Sequence, residues 1–453
     1  MFRWLRRLDD ESGLTLIEVM VAMFVFGLIS VGIAASLTNA LQLTRDTRAR
    51  EIATNLAAQE IDLDRSVKDV FSVTDTSWTT VVNNTTFTVT RNTDWVSTNN
   101  NSVACGAGGG TLQYKKVNIS VTWLGMSAAT APVRSDTLIA PNNRINDPAL
   151  GTIIVSVKSA SGAGTPGISV SVSPSSPANG AVSLAAQPPV TDSDGCTYAL
   201  KVTPGNYDVT LSNTNYLDIA QNPTPVLKNV QVTAGAAAPA PFTYDNSGVF
   251  TLNYGSASAL RPANLQLTFV SVIGGPYVQA VGTNASQRLF PFTDGYATLA
   301  GAYVPPVGSA PSCVDVDPAQ WTTPAADGAV GQPAKTAAAL PGQIVPTQPI
   351  NLGVVTVSGL AANTFITAVS RAPIAGTGDP GCSTGNIYRF PKIAVAGSAT
   401  IALPFGTWTL YTGTASGATT TVVPTTSVAF VTRGIATPAQ NAITLDPRQV
   451  GGP

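Results

Sequence analysis

Glu18 is the only charged residue in an apolar run from Leu14 to Leu37. A helix of that length reaches about 36 Å, enough to cross a hydrocarbon core of about 30 Å. A carboxylate held at that depth costs roughly 2–3 kcal/mol, so a partner is needed to offset it. Arg3, Arg6 and Arg7 precede the run and place the N-terminus in the cytoplasm by the positive-inside rule. A secretory signal would have a shorter apolar core, a small-residue cleavage site and no glutamate near its start. An ordinary membrane anchor has no need of the charge either.

A short basic leader ends in Gly13, Leu14-Thr15-Leu16-Ile17-Glu18 follows, and an apolar helix continues from there. In this the chain resembles the type IV pilin family, which includes the pseudopilins of type II secretion. The resemblance implies that a prepilin peptidase cuts between Gly13 and Leu14 and methylates the new terminus. Glu18 then becomes the fifth residue of the mature chain. Leu14 departs from the family pattern, where phenylalanine is commoner. Cleavage frees an α-amine at Leu14, and two charges in low dielectric are tolerated when they pair. The resemblance implies that Glu18 meets the terminal amine of a neighbouring subunit, so that its charge favours docking over isolation in lipid.

Elsewhere the chemistry is sparse. The 453 residues contain no histidine, which removes Ser-His-Asp and Cys-His arrangements and histidine metal sites. Glutamate occurs only at Glu11, Glu18, Glu51 and Glu60, so aspartate is the sole carboxylate beyond Glu60. Asp192 and Asp194 flank a glycine turn, but the twelve-residue calcium loop with its closing glutamate is missing. Gly108-Gly109-Gly110 lacks the Lys-Ser/Thr of a phosphate loop. The expectation is no catalysis, no cofactor and no metal. With a net charge of −1 and 11% charged residues, no nucleic-acid partner is indicated either. Cys105, Cys196, Cys313 and Cys382 are too scattered for a metal motif, and export makes disulfides the natural reading. Three pairings are open, and proximity along the chain favours Cys105–Cys196 with Cys313–Cys382.

The elements that position these residues follow from periodicity. No proline occurs before Pro132, so the helix should run on past the membrane to about Arg65. Beyond Leu41 it turns amphipathic, with Ala49, Ile52, Ala53, Leu56 and Ala57 on one face. Gly27 and Gly32 are weak points in its apolar half, where many pilins carry a proline that lets the helix loosen on assembly. From about Val70 the period becomes two, predicting strands at Phe71–Thr74, Trp78–Val82, Thr86–Arg91, Leu112–Trp123 and Val133–Ala140. Asn83-Asn84 and the stretch 99–110 are the turns or loops between them. A helix packed on such a sheet is the pilin head plan.

Thr191-Asp192-Ser193-Asp194-Gly195 and Pro204-Gly205-Asn206-Tyr207 are turns leading into strands. Through them the segment 149–236 resembles the carboxypeptidase-regulatory-like, transthyretin-type β-sandwich, a class of mostly structural or interaction modules. The fold class is mainly β with one long N-terminal helix: a pilin helix and antiparallel sheet, then several β-sandwich modules. The expected divisions are a leader (1–13), a transmembrane and assembly helix (14–65) and a pilin-type head (66–148). A carboxypeptidase-regulatory-like sandwich (149–236), a β-rich module with an Ala/Pro-rich loop (237–350) and a C-terminal β-rich module (351–453) follow. Residues 234–241 read as a linker and 322–349 as a long loop. Later aromatic turns at 290–296 and 403–408 echo Pro204–Tyr207, as in a degenerate repeat.

This plan leads to a minor type IV pilin-like subunit. It is held in the inner or cytoplasmic membrane with its leader cytoplasmic, processed by prepilin peptidase, and assembled with other pilin subunits at the cell surface. Its extracellular β modules would serve adhesion or tip assembly. One alternative is a pseudopilin of a type II secretion system contacting cargo. Another is a membrane-anchored, carbohydrate-binding surface protein, with Trp321, Tyr388, Phe405 and Trp408 stacking on an extracellular sugar ligand.

Overall fold

The computed structural model describes residues 16–67, 70–97, 102–103, 105, 112–127, 130–140 and 147–450. They form two compact units, 1–147 and 148–453. In the first, helix α1 (Leu16–Ser66) is followed by β1 (Thr76–Val82), β2 (Thr85–Ser97), β3 (Ser102–Val103), β4 (Leu112–Trp123) and β5 (Val133–Ile139). The sheet is antiparallel in the order β1-β2-β4-β5, with β3 on β2. Asn83 and Asn84 join β1 to β2 with φ of 48° and 64°. Two successive left-handed residues make the turn whose twist matches a hairpin, and asparagine tolerates that conformation. The expected strand at Phe71–Thr74 is instead a 3-10 turn, Val70–Ser72. Val70 and Val73 are both buried, a spacing of three that a turn provides and a strand does not.

The second unit begins with a seven-stranded sandwich. Its strands are β6 (Gly151–Lys158), β7 (Ser169–Pro174), β8 (Cys196–Val202), β9 (Gly205–Ser212), β10 (Tyr216–Asp218), β11 (Val226–Val232) and β12 (Ala237–Asn246). One sheet runs β10-β12-β6-β8 and the other β11-β9-β7. Ile153, Val155 and Ala240 from the first meet Val170, Val209 and Leu211 from the second in one core. The expected linker at 234–241 is for the most part strand β12, paired parallel to β6. Its Ala-Pro alternation buries Ala238 and Ala240 and puts proline at every second position only, so the intervening N–H groups can still pair. Asp192 is a turn residue: its Oδ1 accepts from the backbone N–H groups of Asp194 and Cys196.

The strands β13 (Gly248–Thr251), β14 (Gln266–Ser271), β15 (Gly275–Ala280), β16 (Ser286–Leu289), β17 (Tyr296–Ala300), β18 (Thr336–Ala337) and β19 (Ile344–Pro346) come next. They form sheets β16-β13-β19 and β15-β14-β17-β18. The chain ends with β20 (Gly353–Leu360), β21 (Phe365–Ser370), β22 (Ile387–Arg389), β23 (Gly397–Leu403), β24 (Gly406–Gly413), β25 (Thr421–Val422), β26 (Val428–Phe430), β27 (Gly434–Thr437) and β28 (Ala442–Leu445). Their sheets are β23-β20-β26 and β22-β21-β24-β28-β27, with β25 on β24. One continuous apolar core, from Phe250 to Leu445, runs through both sets. The expected long loop at 322–349 contributes β18, β19 and the buried Ala329 and Ala339, so it is packed structure.

One device recurs in all three parts of this unit. A buried aromatic just after a glycine turn donates to a backbone carbonyl upstream: Tyr207 to Thr203 at 2.9 Å, Tyr296 to Phe290 at 2.7 Å and Trp408 Nε1 to Pro404 at 3.0 Å. Each ring fills core while its one polar group stays satisfied, as in the tyrosine corners of other sandwiches. Gly295 (φ 72°) and Gly406 (φ 118°) precede two of these rings, and a Cβ at either would collide with Ala337 or Asp315.

Candidate functional site

Helix α1 is 51 residues long, about 76 Å at the usual helical rise. Among the described residues it is the one helix long and apolar enough to cross a membrane. From Leu16 to Leu43 its large apolar side chains point to every side and all are exposed, including Ile17, Met20, Phe24, Phe26 and Ile29. Glu18 lies in the first turn of the described helix and is exposed beside Ile17, Val21 and Ala22. Gly13 and Leu14, the expected processing site, lie outside the described residues. Thr38, Thr44 and Thr47 each return their hydroxyl to the carbonyl four residues back, at 2.8 Å. Those bonds satisfy the hydroxyls within the helix and need no partner outside it.

The outer half of α1 is different. Ala49, Ala53, Ala57, Ile61 and Asp64 form a buried stripe, and Ile52 and Leu56 flank it half-buried. Arg91 on β2 reaches Glu60 at 3.0 Å and also pairs with Asp64. Lys115, itself buried, stands over the Trp95 ring and adds a second cation near Asp64. Arg65 donates to Thr137 on β5 at 2.7 Å. Burial, with the neighbouring Asp64, raises Glu60 above its ordinary value despite Arg91, and burial raises Asp64 likewise. Both lie well beyond the apolar run. The sequence reading placed Glu60 on the polar side and passed over Asp64 and Arg91. The signal was present: Asp64 continues the stripe at a spacing of three, and Arg91 falls on the same strand face as the inward Phe87, Val89 and Trp95.

Cys313 is bridged to Cys382, closing 69 residues of chain. Cys105 and Cys196 are both buried. Asp315 lies close to the two bridged sulfurs, but those sulfurs are spent in the disulfide and are not available to a metal. Burial, and next the neighbouring Asp379, push the Asp315 carboxyl up to about 8. Trp321, Tyr388, Phe405 and Trp408 are all core residues, with Trp321 and Trp408 donating to backbone carbonyls. The four are not gathered into an exposed platform for stacking on sugar rings, although Phe405 lines one cleft of this unit.

Residues 9–34 match the prokaryotic N-terminal methylation motif. No curated protein matches the chain. Among solved structures, the TIE protein of Bacillus anthracis is 11% identical, covering 76% of this chain and 69% of its own, with a TM-score of 0.17. A streptococcal ancillary pilin is 10% identical over 52% of this chain and 76% of its own, with a TM-score of 0.19. The major pilin subunit of Bacillus cereus is 10% identical over 59% and 88%, also at 0.19. At such scores these likenesses carry no argument. The motif does: it is the type IV pilin-like N-terminus, and it includes Gly13, Leu14 and Glu18.

Proposed function

We propose that the chain is a minor type IV pilin-like subunit, cut between Gly13 and Leu14 and assembled with other pilins through the inner half of α1. In this reading it is a builder and not an enzyme, and the unit from 148 onward is what it displays outside the cell. The observation that carries the reading is the inner half of α1 beside the methylation motif. Its apolar side chains are exposed on the whole circumference, so lipid first and neighbouring helices later must cover them. Glu18 is the one group there whose charge distinguishes the two surroundings: lipid penalises it, and the freed Leu14 amine of a neighbour offsets the penalty. The bulk of the second unit, 306 residues from 148 to 453, favours a sparse position over one repeated along a tight shaft.

The test is Glu18→Ala beside Glu18→Gln, which keeps size and hydrogen-bonding capacity but not charge. Removing the charge eases membrane insertion by roughly 2–3 kcal/mol. Both variants are therefore expected to remain in the membrane, still cleaved, and to disappear from sheared surface fractions. Wild-type amounts of both in the sheared fraction would remove the mechanism from this reading.

A further inference from the structure

The segment 322–349 walls a cleft of about 390 Å³ in the second unit. That volume is within the range of small-ligand sites. Its floor is apolar and buried, from Leu299, Val316 and Phe405. Its rim carries Gln332, Lys335, Gln348 and Gln449, all exposed. Among the described residues these four side chains make no hydrogen bond and no ion pair. No carboxylate lines the cleft, and Lys335 is its single charge. The larger cleft of about 890 Å³ beside Arg433 differs, because Asp327 and Asp446 already hold that guanidinium.

We propose that this cleft binds a short saccharide bearing a carboxylate, of the uronic-acid type. An amide offers a donor and an acceptor together, the complement of a sugar hydroxyl. The floor can take the C–H face of a ring, as apolar pocket walls commonly do. A lone ammonium binds one carboxylate as a point charge. An apolar peptide could pair its backbone with the rim amides but would strip water from the Lys335 ammonium and return no charge to it. A nucleic acid would call for a basic groove and exposed aromatic rings, and neither is here. The inference rests on the display reading above and deepens it by naming what the displayed unit recognises.

The experiment titrates the full chain in detergent micelles with a galacturonic acid trimer and with its neutral galactose counterpart. The acidic trimer is expected to bind roughly two- to fivefold tighter, the worth of one exposed ion pair. Lys335→Gln should abolish that difference and leave neutral-trimer binding unchanged. Ala334→Trp, a half-exposed lining position, should fill the cleft and weaken both by roughly tenfold or more, with near-UV circular dichroism unchanged. Absence of binding, equal binding of the two trimers by wild type, or binding indifferent to both substitutions would overturn the proposal. Lys335→Gln should leave the sheared surface fraction at the wild-type level. Failure of this site and failure of the assembly reading are thereby read from different measurements.

Discussion

From Leu16 to Leu43, α1 shows large apolar side chains on every side and buries none of them, whereas from Ala49 to Asp64 it buries one stripe on the head sheet. The outer half finds its partner within the same chain. There small residues allow close approach to β2, β4 and β5, and an ion cluster fixes the end of the stripe. The inner half has no such partner among the described residues. Its sequence keeps large side chains all round, the pattern of a helix that is to be covered on all sides. One half therefore specifies a head, and the other leaves a surface for something outside the chain. Substitutions in the two halves should accordingly act on different observables.

The largest effect is expected at Arg91. Arg91→Ala takes the guanidinium from Glu60 and Asp64 and leaves two acids against the sheet. Breaking such a pair costs about 3–5 kcal/mol at neutral pH. Amide exchange should speed up in the outer half of α1 and in β2, and not in the inner half. The pH dependence has a definite sign. Glu60 and Asp64 are raised in the fold, so their contribution is full below about 4 and is lost as pH rises through their folded values. The head should be better protected in mild acid than at neutral pH, and the Arg91→Ala penalty should shrink in acid as both carboxyls protonate. A penalty that grows toward acid would show that Arg91 is not the partner that matters.

Next in size is a matched pair of substitutions. Ala53 is fully buried, and Ala53→Leu forces new atoms between helix and sheet, at about 1–3 kcal/mol. Ala35 is exposed, and Ala35→Leu adds the same atoms where nothing opposes them. Head protection by amide exchange should fall for the first and remain at the wild-type level for the second. Equal losses would mean that the halves are not mechanically separate.

Much of this contrast is legible in the sequence, because it is written in large side chains and regular periods. The apolar run, the alanine stripe, the alternation of Leu112–Trp123 and the Asn83-Asn84 turn each rest on one local rule. What escapes lies where the anchors are small or the pairing is distant. Ala238 and Ala240 carry a period of two that a small-residue composition disguises, and their partner β6 lies some 85 residues away along the chain. Ala329 and Ala339 hold the 322–349 segment in the core, yet nothing in their type marks them as anchors. Arg91 escaped because a charge in mid-strand reads as a solvent-facing residue until its acids come from the helix. The Lys335 cleft was invisible for the same reason: the segment beside it read as loop, and its floor is assembled from residues far apart in sequence.

The smallest effect concerns the helix backbone in the inner half. Gly27 and Gly32 sit within a continuous helix, and a Cβ at either would meet open space. Glycine at such positions weakens a helix by roughly 0.5–1 kcal/mol relative to alanine, through the conformational freedom it retains when the helix opens. Within the single chain sterics gives no reason for them, which leaves how easily the helix loosens as the effect the chain itself points to. Gly32→Ala should therefore leave membrane insertion and head protection unchanged while making local opening roughly two- to fivefold rarer. If α1 loosens as it enters a filament, the sheared surface fraction should fall by a similar factor, and Gly27→Ala should act in the same direction. If α1 enters as the straight helix seen in the single chain, both variants should assemble at or above the wild-type level. Either result sharpens the contrast between the halves, because neither glycine touches the head. A change in the exchange of β4 or β5 in these variants would instead break the contrast.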